Sequence, residues 1–522
     1  MKHLFAVKSL DQIKRDSEAP GQQLKRTLGP VQLTALGIGA IMGAGIFSTI
    51  GSAAAGGGSH VGAGPAIIAS LILTAIACGF AALCYAEFAA MVPISGSAYT
   101  YAYATLGEAV AWIIGWDLIL EYAVGNVAVA ISWSGYFREL LAGFGVFIPG
   151  WLCIDHPTAA KAAEHLAQLQ AQSGDSASLG IAATRAAEAF ASAPIVFGVP
   201  VILNLPAFLI VMGITWVLVV GIRESAWLTG ALAVMNVAIL IFFCVVGTFY
   251  VEPSNWVPFA PNGFRGISAA AAIIFFAYIG FDAVSTAAEE TKNPQRDMPI
   301  AMIASLVICT VIYIAVAMVL TGMLPWTQLG TAEPLATAFS ANHITWASGI
   351  IAFGAVCATT GVLLVFQLGQ PRIFFSMARD GLLPKWAARV HPKYRTPHVT
   401  TILTGVIVAV CATFLNINEV VELTNIGTLF AFVLVSVGIL VLRKSDPDRP
   451  RPFRTPLVPW VPLIAIGMCS YLMFQLPLLT WIRFVLWLGV GLVVYVLYGM
   501  RHSILQKRLA GRLDNGSSEG HR

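Results

Sequence analysis

Apolar residues fill long stretches of the chain, and polar residues crowd into the short segments between them. Stretches near or above the roughly 20 residues that cross a bilayer occupy 31–54, 65–91, 109–137, 203–222, 226–250 and 267–286. Six more lie near 299–323, 346–377, 398–415, 420–442, 458–476 and 481–500. A bilayer core offers no water to backbone amides and carbonyls, so each stretch is expected as a helix. The pattern predicts an all-α polytopic membrane protein with about 12 transmembrane helices and both termini on one side.

Two stretches are interrupted. Leu36-Gly-Ile-Gly-Ala-Ile-Met-Gly-Ala-Gly-Ile-Phe47 and Phe275-Phe-Ala-Tyr-Ile-Gly-Phe-Asp282 carry glycine inside apolar sequence. Glycine uncouples a helix there and leaves N–H and C=O groups that lipid cannot satisfy. A half-helix N-terminus suits a carboxylate, while unwound carbonyls and a half-helix C-terminus suit an ammonium. An α-amino acid carries both charges. Glycine in a membrane helix also serves close packing, so Gly37, Gly39, Gly43 and Gly45 alone do not establish a site. The second interruption adds the missing element, because spans 1 to 5 and 6 to 10 then each open with a broken helix, as in two repeats of inverted topology.

The expected organisation is a cytoplasmic segment 1–30, a first repeat 31–250 with an extracytoplasmic insert 143–200, and a second repeat 267–442. Peripheral spans 11 and 12 (458–500) and a cytoplasmic tail 501–522 complete it. The chain has 522 residues, 57% hydrophobic and 11% charged, against roughly 25% charged in a soluble domain. Its net charge of +4 reflects topology and does not indicate a nucleic-acid partner. Lys8, Lys14, Arg15, Lys25 and Arg26 precede span 1, and Arg379, Lys385, Arg389, Lys393 and Arg395 follow span 8. Arg443, Lys444, Arg449, Arg451 and Arg454 follow span 10, and Arg501, Lys507, Arg508 and Arg512 fill the tail. By the positive-inside rule these segments are cytoplasmic, which fits a multi-pass protein of the plasma (cytoplasmic) membrane.

The polar first thirty residues, with Asp11, Asp16 and Glu18, argue against a cleavable signal peptide. Seven of the eight cysteines fall in or beside apolar spans and Cys153 lies in a loop, so neither a disulfide nor a metal site is expected. The Ala-rich insert predicts one or two surface helices, with His156 and His165 as solvated residues.

Five motifs resemble those of the amino acid–polyamine–organocation superfamily, and most closely its cationic amino acid transporter branch. They are Gly43 to Phe47, Gly115-Trp-Asp-Leu-Ile-Leu-Glu-Tyr122, Phe275 to Asp282, Glu289 to Pro299 and Met377-Ala-Arg-Asp-Gly-Leu-Leu-Pro384. They occur in the proper order, and the resemblance covers roughly residues 25–500 apart from the insert. It implies the LeuT-type 5+5 inverted repeat and no cofactor. It further implies that amides around Gly43, Ala44, Gly45 and Ile46 hold the substrate carboxylate, and that carbonyls of Ile41, Phe276, Ala277 and Ile279 receive the ammonium. Many relatives have Ser or Thr where this chain has Ala44, so only the backbone amide remains there. Phe276 is a candidate aromatic lid or a packing residue.

Thirteen residues separate Glu121 from Glu108 at the start of span 3, which at about 1.5 Å each puts Glu121 near mid-membrane. An ionisable group there is costly and normally functional. It could contact a cationic side chain, accept a coupling proton, or accept hydrogen bonds from a neighbouring helix. Asp117, one turn closer to the cytoplasm, fits an inner-gate or structural polar contact, and Glu87, Asp282, Glu289 and Arg296 fit gate and loop-locking roles. On span 8, Thr359, Leu363, Phe366 and Gln370 share a helix face. Phe366 either limits pocket depth, favouring small or medium substrates, or packs against span 3 or 6.

Many proton-coupled bacterial relatives carry a lysine in span 5 where this chain has Asn236. Asn236 cannot titrate, which favours uniport or exchange and leaves proton coupling to Glu121. Thr359 and Thr360 are candidate ion ligands. The reading is a secondary permease for small or medium neutral or cationic amino acids, working by alternating access. A narrow Arg/Lys uniporter or exchanger and, from another class, a transporter-like amino acid sensor are the alternatives. No nucleotide loop or nucleophile elbow suggests an enzyme.

Overall fold

A computed structural model describes residue 7, residues 28–57, 60–91, 97–173, 181–221, 226–394 and 396–509, and residue 511. The basic residues expected before span 1, together with Arg395 and Arg512, lie outside the described residues.

Every apolar stretch identified in the sequence is helical. The chain runs through α1 (Pro30–Ile41), a π-helical turn (Gly45–Thr49), α2 (Ile50–Ala55), α3 (Ile67–Met91), α4 (Ser97–Thr105) and α5 (Glu108–Gly143). The insert supplies α6 (His156–Ser173), α7 (Ile181–Ala191) and a two-residue hairpin, β1 (Ile195–Val196) with β2 (Val199–Pro200). Next come α8 (Leu205–Val220), α9 (Ala226–Gly247), α10 (Gly263–Ile274) and two 3-10 stretches (Phe275–Tyr278 and Asp282–Glu290). The remainder is α11 (Pro294–Met323), α12 (Pro334–Ala341), α13 (Thr345–Arg379), α14 (His398–Phe414), α15 (Ile417–Ser445), α16 (Trp460–Phe474) and α17 (Leu478–Val494).

Among the described residues, seven helices are long and apolar enough to cross a membrane, and the bent pair α1 and α2 makes an eighth. Four shorter apolar helices, α8, α10 with its 3-10 extension, α14 and α16, hold 10–17 residues each and fall short of the roughly 20 of a straight span. The protein is thus multi-pass and almost entirely α-helical. The hairpin was not evident in the sequence. Its turn places Phe197 at φ 50° and Gly198 at φ 81°, the positive angles of a tight hairpin turn, and Phe197 gives no cue for that conformation.

Helix α5 is the central pillar, packed along α13 and α15, while α11 packs on α1 and α3, and α9 packs on α1. Close approach follows from small residues: an added Cβ on Gly427 of α15 would stand 2.6 Å from Asp117 Oδ1, and one on Gly369 of α13 would stand 2.6 Å from the Tyr122 ring.

Buried carboxylates tie the ends of these helices together. Glu87 of α3 is fully buried and accepts both Nε and Nη2 of Arg443 at 2.9 Å and the Thr455 amide at 2.8 Å. Arg451 Nε lies 3.2 Å from the same carboxylate. Glu108 opens α5 and accepts from Tyr103 at 3.0 Å, Tyr495 at 3.1 Å, Gln506 at 2.7 Å and the Ser503 hydroxyl. These contacts place Glu87 in the loop-locking role expected of it, holding the segment after α15 against α3. The Glu289 side chain lies outside the described residues, and Arg296 is exposed.

Removing one partner of a buried ion pair costs about 3–5 kcal/mol, so Glu87→Ala should lower the thermal unfolding midpoint of the detergent-solubilised protein clearly. An unchanged midpoint would show that the Arg443 contact does not hold the fold.

Candidate functional site

Both interruptions seen in the sequence are real breaks. The first bends the chain by 41° between α1 and the helix that restarts at Gly45. The second falls at Ile279–Gly280, where Gly280 has φ +122°, a conformation L side chains rarely adopt. The span expected over 267–286 is therefore a helix from 263 to 278, a break and a second 3-10 segment.

The two breaks touch. A Cβ added to Gly45 would lie 2.2 Å from Ala277 Cα, and one on Gly280 would lie 2.6 Å from Ala40 O. Backbone thus meets backbone, and glycine is required on both sides. Gly43 approaches α13 instead, where an added Cβ would stand 2.8 Å from Val362 Cγ2.

Neighbouring helices satisfy most of the loosened carbonyls, as a low-polarity interior demands. Ile41 O accepts Tyr313 Oη of α11 at 3.0 Å and the Gly43 amide at 3.0 Å. Met42 O accepts Asn236 Nδ2 of α9 at 3.5 Å, Phe47 O accepts the Tyr136 hydroxyl, and Ala44 O accepts Thr49 Oγ1 at 3.5 Å. At the second break, Asn425 Nδ2 of α15 donates to Ala272 O at 2.8 Å and Ile273 O at 3.0 Å.

Two sets of backbone groups stand apart from this network. The amides of Ala44, Gly45 and Ile46 open the restarted helix, where no earlier turn offers acceptors. Among the described residues, no hydrogen bond from another segment ends on the carbonyls of Phe276, Ala277 or Ile279. Gly45 lies on Ala277, so the two segments that carry these donors and acceptors are in contact. Ile41 O and the Gly43 amide, which the sequence also suggested, already bond each other here.

The side chains named from the sequence divide into groups. Glu121 is buried on α5, with Asp282, Asp117 and Thr428 as its polar neighbours. Asp282 accepts the Gly280 amide at 3.2 Å, so this group borders the second break. Both Asp117 oxygens lack a hydrogen-bond partner among the described residues, and Asp117 is fully buried. Asn236 sits against the first break, and its buried Oδ1 is unpartnered. Phe276 is 5% exposed, packed in the core. Phe366 packs on span 3: its ring lies 5.5 Å from the Tyr122 ring, and an added Cβ on Gly125 would meet it at 3.0 Å. Gln370 of α13 donates to Ile119 O of α5 at 3.1 Å. Thr359 and Thr360 bond back to their own helix at Ala355 O and Val356 O, both at 2.6 Å, and Thr360 also accepts Trp133 Nε1 at 2.9 Å.

Tyr136, Tyr313 and Asn425 were missed. An asparagine inside the apolar run 420–442 was a usable signal for Asn425. The tyrosines gave none, since an aromatic in a membrane helix reads equally well as packing.

Multiple apolar helices packed around two touching backbone breaks define a multi-pass α-helical membrane protein. The sequence pattern of amino acid permeases matches residues 28–497, and the chain belongs to that family, within the amino acid–polyamine–organocation superfamily. It is therefore a secondary transporter that moves amino acids across a membrane, and it is not an enzyme. It is 43% identical over 507 residues to the methylthioribose transporter of Bacillus subtilis (strain 168), covering 97% of this chain and 100% of that one. It is 45% identical over 487 residues to the branched-chain amino acid permease of the same organism, covering 93% and 96%. Identity to the vacuolar cationic amino acid transporter 4 of Arabidopsis thaliana is 34% over 454 residues, covering 86% and 68%. The resemblance to the cationic branch thus extends to the family at large and does not single out that branch.

Glycine contacts predict a graded response. An added Cβ on Gly39 meets only Ala233 Cβ at 3.6 Å, an ordinary contact, whereas Gly45 has 2.2 Å to backbone. Gly39→Ala should keep near-normal uptake and Gly45→Ala should lose about tenfold or more, both at wild-type membrane abundance. Equal uptake by the two variants would refute the tight apposition.

Proposed function

We propose that this permease carries small or medium neutral α-amino acids, with the carboxylate on the amides of Ala44, Gly45 and Ile46 and the ammonium on the carbonyls of Phe276, Ala277 and Ile279. The observation that carries this reading is the Gly45–Ala277 contact, which brings opposite backbone dipoles together. The Phe366–Tyr122 pair borders the space left for the side chain. The 45% identity to a branched-chain amino acid permease supports the neutral class.

A narrower cationic substrate is the second reading. Glu121 favours it, as a buried carboxylate beside Asp117 and Asp282 suits a guanidinium or ammonium side chain. The protein sits in the cytoplasmic membrane with both termini in the cytoplasm, in a LeuT-type 5+5 arrangement of twelve spans. Residues 31–250 form the first repeat, 267–442 the second, and 458–500 the peripheral pair. The four helices shorter than a straight span complete the twelve.

Transport proceeds without proton coupling. Asn236 occupies the first break and has no titratable atom, so substrate gradients alone bias the conformational equilibrium. The route left for proton symport is Glu121. Thr359 and Thr360 keep a lone pair each for an ion, and both already bond within α13.

Uptake into proteoliposomes of labelled alanine, leucine, arginine and methylthioribose, with and without an imposed inward proton gradient, tests the substrate class and the coupling together. Alanine or leucine should enter at a gradient-insensitive rate. Dominant arginine uptake would replace the first reading with the second, and gradient-driven uptake would assign coupling to Glu121. If Phe366 sets side-chain room, Phe366→Ser should raise arginine uptake relative to alanine. An unchanged ratio leaves Phe366 as a packing residue against Tyr122.

A further inference from the structure

We infer that the described parts of the insert, residues 143–173 and 181–200, form a lid over the outer end of the substrate path, latched by Arg185. This rests on the proposed orientation, in which the insert faces outward. A cavity of about 160 Å³ lies beneath the insert. Its lining joins Ser48 and Thr49, in the turn that follows Gly45, to Arg138 and Glu333 of the body and to Asp155 and Arg185 of the insert. The cavity therefore runs from the turn just after the first helix break to the underside of α7.

Four charges close it. Arg185 Nη1 lies 3.1 Å from Glu139 Oε1 and 3.2 Å from Glu333 Oε1. Arg138 Nη2 lies 2.8 Å from Glu333 Oε1 and 3.4 Å from Glu139 Oε1. Glu333 immediately precedes α12, and the adjoining loop lies on α2, where an added Cβ on Gly51 would stand 2.2 Å from Leu329 O. Ser48 donates to Ala332 O in the same loop and lies 2.5 Å from Ser132 Oγ of α5. Arg185 thus bridges the insert to α5 and to the loop seated on the broken helix.

The attachment of the insert suits a moving part. Helices α6 and α7 share a small apolar cluster of Ala162, Ala186 and Ala187 with Ile154 and Leu166, separate from the main core. Polar contacts join the insert to the body: the Arg185 pairs, a hydrogen bond from Asn416 Nδ2 to Thr158 Oγ1, and the backbone bridge between Cys153 and Asn204. Glu333 is buried and keeps Arg138 as a partner, whereas the Arg185 side chain is 37% exposed. Arg185 can therefore exchange its contacts for water at modest net cost while the Arg138–Glu333 pair stays in place. A continuous apolar interface could not.

Cys153 reports on the lid, because it lines the same cavity and is buried. Burial pushes its thiol up to about 11, so near neutral pH little reactive thiolate exists while the lid is shut. A membrane-impermeant maleimide added outside right-side-out vesicles should label wild type slowly. Arg185→Gln should label about three- to fivefold faster, Arg185→Lys should stay close to wild type, and Cys153→Ser should remove the signal. Raising external salt from about 0.05 M to about 0.5 M should also speed wild-type labelling by screening the pairs, a test that needs no variant. Equal rates in wild type, Arg185→Gln and high salt would overturn the lid, as would labelling only from the cytoplasmic face. Labelling is read independently of transport: faster labelling without amino acid uptake keeps the lid and removes the proposed substrate class. Uptake with unchanged labelling does the reverse.

Discussion

A hydrophobic interior leaves no backbone polar group to water, and the structure is organised around the two places where the chain breaks that requirement. At Met42–Gly43 and Ile279–Gly280 the helical ladder is interrupted, and the freed groups must find partners in protein or ligand. Tyr313, Asn236, Tyr136 and Asn425 reach in from four other helices to take most of them. What remains is the amides of Ala44, Gly45 and Ile46 and the carbonyls of Phe276, Ala277 and Ile279, on two segments that touch at Gly45 and Ala277. Under the proposed function, these are the groups that would receive a zwitterion.

The same constraint explains where the charges sit. Glu87 and Glu108 are fully buried, yet each gathers several donors from distant parts of the chain. They act as knots that bring the segments after α15 and α17 back onto α3 and α5. Asp117 and Glu121 differ, since both lie deep on the central pillar and Asp117 has no hydrogen-bond partner among the described residues. Groups held that way are costly for stability, unlike the well-partnered Glu87 and Glu108.

Kinship to permeases for branched-chain amino acids and to cationic amino acid transporters, together with a methylthioribose transporter, is consistent with a site made mainly of backbone. In the proposed site, backbone dipoles would meet the charged ends common to amino acids, and a change of substrate would then need few substitutions and no change of fold.

The helices, the two broken segments and the burial of Glu121 within a long helix were legible in the sequence, because bilayer thickness and glycine's missing side chain act locally. The Gly45–Ala277 contact was not, since it joins residues more than two hundred positions apart and depends on how α1 and α10 pack. For Phe366, only the structure shows the contacts with Tyr122 and Gly125 on span 3. Ile41 O was expected to be available, and only the position of α11 shows that Tyr313 has claimed it. The insert appeared as ordinary surface helix, as Arg185 gains meaning only beside Glu139 and Glu333. Periodicity and composition report each segment's environment, whereas partners across the bundle are chosen by tertiary packing.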